Sequence, residues 1–451
     1  MSKQERNGQG RTSPLAVVIL AAGKGLRFKT RRPKVLHAVG GKTLLGHALA
    51  TAGRMVAPQD IVVVIGAGDE QVRQAASGGS FKIVEQAESR GTGNALQSAR
   101  GVLSGYDNIL VLPADLPLLQ PETLAKLERL HRAENAAMTI LTAPGIADET
   151  VPGIYAFRAE ALLKHLDELR ADKALGEVSL GDMAVILRAA DEAVVTVPMN
   201  DAEEALQAKT IAGLVALDAK LRASTTARMM DAGVTIYRPE TCVIDTEVEV
   251  AADTVIEPFV QLLGKTQIGS GCHIRSYSVL ESCTLGNNVL IRPSCVLTES
   301  SIADGAEIGP FARMRPGCEV GERVHVGNFV ELKKAKLQRG VKAGHLAYLG
   351  DAEIGADVNI GAGVITCNYD GVHKHVTRIG EGAFVGSDST LVAPITIGAG
   401  AYVGAGSCIT KEVPAEALAL ARAHQVNKEG WVAERRARRK AQAAKDEGSK
   451  R

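Results

Sequence analysis

Three stretches in the first half of the chain are apolar almost without a break: LAVVIL at 15–20, IVVVIG at 61–66 and NILVLP at 108–113. Short continuous runs rich in β-branched side chains belong to strands covered on both faces. The segments between them, such as 121–131, carry apolar residues at helical spacing. This alternation predicts a three-layer α/β domain over residues 14–200, with a parallel sheet. From Asp201 the pattern reads as one long helical linker, 201–232. Asp201 and Glu204 have the spacing of a capping box, and Leu206, Leu214, Leu217 and Leu221 give the helix an apolar side.

Beyond residue 233 the period changes to six. Ile302, Ile308, Met314, Val320, Val326 and Leu332 form one run, and Ile379, Val385, Leu391, Ile397, Val403 and Ile409 form another. Shorter runs are Ile268, Ile274, Leu280; Leu285, Ile291, Leu297; and Ile354, Ile360. Neither a helix nor an alternating strand has this period. A coil with three flat sides, one hexapeptide per side, does, and internal repeats of this kind define a solenoid. The aliphatic side chain points into a narrow prism, and the glycine that often follows it relieves crowding. Cys272, Cys283, Cys295 and Cys318 each stand two positions before an inward aliphatic residue, which is a slot for a small buried side chain rather than a redox or metal group. The repeat breaks over 367–378, where Asn368, Tyr369, Asp370, Lys374 and two histidines gather. An excursion from a regular scaffold is a place for function. The coil is predicted to end at 431. Residues 1–13 read as a disordered start, and 432–451 as a basic disordered tail rich in Arg and Lys.

The 451 residues leave room for both domains. With Lys plus Arg at 52 and Asp plus Glu at 51, the net charge is +1, which argues against a general nucleic-acid binder. Forty-seven glycines against 3% aromatic residues suit thin aliphatic layers and tight turns. No run approaches the roughly 20 apolar residues of a membrane span, so no membrane insertion is predicted. The polar first thirteen residues give no secretory leader, and seven cysteines without a CxxC indicate neither a disulfide framework nor a zinc ribbon. The cytoplasm is the expected compartment.

The turn after the first strand reads Leu20-Ala21-Ala22-Gly23-Lys24-Gly25-Leu26-Arg27, with Pro33-Lys34 a little further on. Glycines let a backbone approach phosphates, and Lys24, Arg27 and Lys34 would neutralise a triphosphate. Gln86 followed by Arg90-Gly91-Thr92-Gly93 has the look of a base-reading segment that opens a helix. Asp115 stands just past a strand end, where ligands collect in open α/β sheets. A carboxylate there suits Mg²⁺, which takes one or two carboxylates and keeps several waters.

These strings together resemble a sugar-nucleotide pyrophosphorylase. With the arm and the hexapeptide repeats, residues 14–431 resemble the GlmU family, two-domain bacterial enzymes that make UDP-N-acetylglucosamine. The resemblance implies a Rossmann-like nucleotidyltransferase domain, a long helical arm and a C-terminal left-handed parallel β-helix working as a homotrimer. It carries nucleotide-binding roles to Leu20, Ala21, Ala22, Gly23, Lys34, Gln86, Gly91 and Thr92, and a metal role to Asp115.

In the coil the matching strings are GPFARMRPG at 309–317, GNFVELKK at 327–334, KAGHLAYLGD at 342–351 and CNYDG at 367–371. Glucosamine 1-phosphate is an ammonium near neutral pH and needs a base before it can attack a thioester; histidine is the natural choice. The matching residue is His345, with Glu331 as the residue that would orient it. Arg315 and Lys333 match residues that grip the sugar phosphate, and Tyr348 and Asn359 match residues that bind the sugar. Ala362, Asn368, Tyr369, Ser387, Ala405 and Arg422 match the lining of an acetyl-CoA site.

The first half departs from the family pattern. Leu26 replaces a small polar residue, and Pro113-Ala114 replace Tyr-Gly. A sugar-gripping segment is missing between Thr142 and Pro152, with Val151 in place of an Asn. No second metal ligand appears around Gln207-Ala208. The alternative expectation is therefore an acetyltransferase whose N-terminal domain is a degenerate nucleotide binder. Other readings are a pyrophosphorylase for another sugar and a zinc enzyme on the same coil using His325, His345, His373 or His375, although none of these repeats at coil spacing.

Overall fold

A computed structural model describes residues 14–23, 25–143, 152–171 and 176–448; the start at 1–13, Lys24 and Val151 lie outside the described residues. The chain divides into two units, Met1–Gln267 and Ile268–Arg451.

The first unit is built on a seven-stranded sheet in the order Lys82–Gln86, Ile61–Gly66, Leu15–Leu20, Asn108–Pro113, Tyr155–Arg158, Met138–Thr142, Val194–Pro198. Tyr155–Arg158 runs antiparallel to both neighbours, and the remaining pairings are parallel. The unbroken apolar runs follow from burial on both faces. Val17, Ile19, Ile61, Val63, Ile65, Leu110 and Leu112 enter one core. Their neighbours Ala16, Val18, Val62, Val64, Ile109 and Val111 enter the other.

The arm differs from the single helix expected from Asp201. A short 3-10 turn, Ala202–Ala205, comes first, and the helix proper is Ile211–Asp231, capped by Thr210 accepting from Gly213 N. Glu204 makes no reciprocal cap. It is buried and accepts from Gln120 N at 2.9 Å and Thr123 Oγ1 at 2.9 Å. The arm is not a bare linker either: Ala208, Leu214, Leu217 and Leu221 pack with Phe28, Val39, Leu44 and Leu118. Arg222 bridges two carboxylates, 2.9 Å from Asp218 Oδ2 and 2.9 Å from Asp245 Oδ1. Asp218 accepts from Gly40 N at 2.7 Å, and Asp245 accepts from Gly264 N at 2.8 Å. Gly41 sits at φ +82°, where a Cβ would fall 2.2 Å from the Asp245 carboxyl carbon. The hairpin Ala38–Val39 with Lys42–Thr43 is thus fastened to the arm and to the first coil turns, which begin in this unit at Thr235–Ile236 and Val243–Ile244.

The second unit continues as a left-handed parallel β-helix of three stacked ladders. Every aliphatic residue of the sixfold pattern is buried. In one ladder Ile274, Ile291, Ile308, Val326, Ala343, Ile360, Val385 and Val403 are direct partners in successive coils. Each Ile or Val among them stabilises the coil by about 1.5–3 kcal/mol. The glycine after the aliphatic residue is forced by the approach of the next coil: a Cβ on Gly355 would lie 2.6 Å from Glu381 N. Cys272, Cys283, Cys295 and Cys318 are buried, and burial raises the Cys283 and Cys295 thiols to about 11.

The tail expected to be disordered is instead a helix, Trp431–Gly448. Its Ala, Arg, Lys, Gln and Glu content favours helix without help from packing, and Arg435 lies 5.0 Å over the Trp431 ring one turn away. Lacking an apolar stripe, it gave no periodic signal in the sequence. No helix among the described residues is long and apolar enough to cross a membrane.

Candidate functional site

In the first unit a cavity of about 800 Å³ opens beyond the carboxyl ends of the central strands. Leu20, Ala22, Gly23, Lys34, Gln86, Gly91, Thr92 and Asp115 line it together. Ala21, expected among them, is instead in the core beneath, its N–H donated to Val64 O at 2.8 Å. Gly91 caps the helix Thr92–Leu103 at φ +99°, and a Cβ there would come 2.6 Å from Val178 O. Segment 176–180 is stitched to this loop: Val178 N donates to Arg90 O, Gly93 N to Val178 O, and Leu180 N to Thr92 Oγ1. That stitching brings Glu177 to the cavity wall, a residue the sequence reading missed.

Gln86 is buried, and its amide nitrogen is held by Gly91 O at 3.2 Å and Asn94 Oδ1 at 2.8 Å, which fixes the carbonyl oxygen as its acceptor. The Lys34 ammonium pairs with the Asp115 carboxylate across the cavity floor. Pro113, Pro152, Gly153, Gln207 and Lys209 complete the lining, with Gln207 Nε2 donating to Pro152 O at 3.4 Å.

In the second unit the expected residues fall on one corner and one adjoining face. Asn328, His345, Ala362, Ser387 and Ala405 each immediately precede a left-handed corner residue of their coil: Phe329, Leu346, Gly363, Asp388 and Gly406, at φ +57°, +49°, +76°, +56° and +73°. They therefore form a single column along the coil. His345 is exposed and outside the prism. Its Nδ1 lies 2.6 Å from Asn328 Oδ1, one coil below. The amide oxygen can only accept, so Nδ1 carries the hydrogen and Nε2 is left as the base. Glu331, expected to orient His345, instead faces Arg315, with Nη1 to Oε1 at 3.4 Å. Above His345 the column is small side chains, and it ends where Arg422 Nη1 donates to Ala405 O at 2.9 Å.

Arg315, Lys333 and Lys374 make a cluster of like charge at the far end of the adjoining face, where Lys333 immediately precedes the left-handed corner residue Lys334. Lys374, brought in by the 367–378 excursion, pushes the Lys333 ammonium below the usual lysine range through direct contact and repulsion. The excursion is ordered by Asp370, which accepts from Val372 N, His373 N and His375 Nε2. These donors, His375 foremost, hold its carboxyl well below the ordinary range. Asn368 is buried against Asp351, whereas Tyr369 is exposed. Tyr348 and Asn359 are half-buried on adjoining faces. Asn328 and Lys374 were legible only in part: Asn328 precedes His345 by one coil length, and Lys374 stood in the excursion without an assigned partner. Among the described residues no three His, Cys, Asp or Glu side chains are placed to share a metal ion, so the alternative zinc site finds no support.

Comparison with known proteins accounts for both units. Residues 17–210 match the MobA-like NTP transferase domain, and residues 299–334 and 377–411 match the bacterial transferase hexapeptide repeat. A protein of Koribacter versatilis named bifunctional protein GlmU is 48% identical, over 94% of this chain and 98% of that protein. Proteins with the same name from Solibacter usitatus and Thermus thermophilus are 44% and 43% identical, over 94% and 92% of this chain and 98% of each relative. The Koribacter alignment spans 459 positions, more than the 451 residues here, so that relative carries residues this chain lacks. Identity at this level, sustained through the nucleotidyltransferase unit and the coil alike, means that the chain belongs to the GlmU family.

Proposed function

We propose that the chain makes UDP-N-acetylglucosamine in two steps, acetyl transfer on the coil and uridylyl transfer in the first unit. The observation that carries this reading is the corner column, in which an exposed His345 held by Asn328 is continued by small residues, with the cation cluster on the adjoining face. Arg315, Lys333 and Lys374 hold the phosphate of glucosamine 1-phosphate, and Tyr348 and Asn359 hold its ring. His345 Nε2 takes the proton of the amine. The freed lone pair attacks the acetyl carbonyl of acetyl-CoA, a C–N bond forms and the C–S bond breaks, and the second proton shed by the new amide nitrogen passes to the departing sulfur, so coenzyme A leaves as its thiol. The cofactor arm lies along Ala362, Ser387 and Ala405 beside Asn368 and Tyr369, and Arg422 meets a coenzyme A phosphate.

In the first unit UTP sits in the 800 Å³ cavity, its phosphates against the Leu20–Gly23 turn and Lys34. The Gln86 carbonyl meets the N3–H of uracil, a donor that cytosine lacks. The phosphate oxygen of N-acetylglucosamine 1-phosphate attacks the α-phosphorus, and the bond to pyrophosphate breaks. Asp115 would hold Mg²⁺ as its protein ligand: it is a carboxylate lining the cavity with a side chain only 14% exposed, and Mg²⁺ takes one or two carboxylates and keeps several waters. When bound, the ion would supply charge neutralisation at the phosphates. The acetyltransferase-only reading is not favoured, because the cradle is intact and the bifunctional relatives match through both units.

The coil assembles as a homotrimer. Phe311 and Phe329 stack at 5.3 Å, and with Leu346 they are exposed at the same corner. A ridge of large apolar groups at left-handed backbone positions calls for a covering surface, and here it flanks His345. A second copy laid on it closes the site. The substrates place the enzyme in the cytoplasm. One assay tests the reading: the full chain with glucosamine 1-phosphate, acetyl-CoA and UTP, following free thiol and pyrophosphate separately. Both should appear; thiol release without pyrophosphate would restore the acetyltransferase-only reading.

A further inference from the structure

We propose that Lys209, with Gln207 beside it, is the residue pair that receives the 1-phosphate of the acceptor sugar in the first unit; this rests on the uridylyl-transfer reading above. The reaction brings two polyanions together, a sugar phosphate and a nucleoside triphosphate. Their mutual repulsion must be offset on both sides of the reacting phosphorus. Among the described lining residues the cations are Arg27, Lys34 and Lys209. Arg27 and Lys34 stand on the nucleotide side, one on the signature turn and the other paired with Asp115. Lys209 comes from a different segment, the start of the arm, beside Gln207, which is tied to Pro152.

Its backbone is fixed from both directions. Ala208 is fully buried in the core of the arm, and Thr210 caps the following helix. Gln207 is tied to Pro152 O. The ammonium is thus carried on a rigid stem, its side chain exposed at the cavity wall, with no carboxylate paired to it among the described residues. That is the arrangement of a group waiting for an anion. Among the described lining residues Glu177 is the carboxylate besides Asp115, and it is stitched to the Arg90–Gly93 loop rather than to the Lys209 segment, so a phosphate is better received by Lys209.

The test uses the full chain and the variants Lys209→Met and Lys209→Arg. In Lys209→Met the KM for N-acetylglucosamine 1-phosphate should rise at least tenfold while the KM for UTP changes less than twofold; Lys209→Arg should recover most of the loss. Calorimetric titration with N-acetylglucosamine 1-phosphate should weaken in parallel. Acetyl transfer by the same preparations reports that the chain is folded. An unchanged sugar-phosphate KM, or equal rises for both substrates, would overturn the assignment. Absence of pyrophosphate release from the unaltered chain would overturn the uridylyl-transfer reading itself and Lys209 with it.

Discussion

The Oδ1 of Asn328 lies 2.6 Å from Nδ1 of His345, an amide and an imidazole from successive coils meeting at one corner. The contact sets the tautomer and aims Nε2 outward. His345→Ala should lower acetyl transfer by roughly 10²–10⁴-fold, the usual worth of a general base. Asn328→Ala should lower kcat with little change in KM, because the base remains but loses its orientation. Glu331→Gln should act on the KM for glucosamine 1-phosphate through Arg315 instead. Steady-state kinetics on the three variants separates these roles.

Lys374 bears on the pH dependence of the same step. A lysine must be charged to hold a phosphate, and the neighbouring ammonium favours the neutral form of Lys333, so Lys333 loses its proton at lower pH than an isolated lysine. In the unaltered enzyme the KM for glucosamine 1-phosphate should therefore begin to climb on the alkaline side early. Lys374→Ala should raise that KM by about tenfold at neutral pH, the loss of one charged contact. It should also move the alkaline climb to higher pH as Lys333 returns to its ordinary range.

His131 is a marker of stability rather than activity. It is buried, its Nδ1 is 2.8 Å from Thr139 Oγ1, and burial lowers its pKa to about 4 from 6.5. The unfolded chain takes up the proton below 6.5 and the folded chain only below about 4, so this group removes stability as pH falls through that window. The loss is up to ~1.4 kcal/mol per pH unit. Urea unfolding of the first unit's signal at pH 7 and pH 4.5 should show it, and His131→Asn should flatten the difference.

If the coil assembles as the trimer proposed above, Phe329→Asp should convert it to single subunits by placing a charge in the stacked ridge with Phe311. Sedimentation would show the mass change. Acetyl transfer should fall with it, while pyrophosphate release should persist.

Much of this was legible beforehand because both folds write a period into the chain. Strands covered on two faces, as at 15–20 and 61–66, leave unbroken apolar runs, and each prism-facing residue returns at every sixth position. That the Leu20–Gly23 turn, Lys34, Gln86 and Asp115 would gather, and that His345 would stand out from the coil, was legible because each sits in a local string. What escaped was long-range. Nothing near Asp201 reveals that Glu204 is used by Gln120 and Thr123, so its capping spacing misled. The partner of His345 was misassigned to Glu331 because proximity across coils runs along a corner, and Asn328 occupies that corner whereas Glu331 is on a flat side with Arg315. The terminal helix was missed because its stability comes from intrinsic propensity, which leaves no stripe.

The knot of Arg222, Asp245 and Gly41 has a practical bearing on where the protein is to be cut. Scissors applied at residue 232 would take away the carboxylate that one guanidinium arm grips and leave the hairpin downstream of Lys34 propped on nothing at Gly41. The opening rungs of the coil are a keystone for the catalytic half before them, and an N-terminal fragment meant to work alone should run through Gln267.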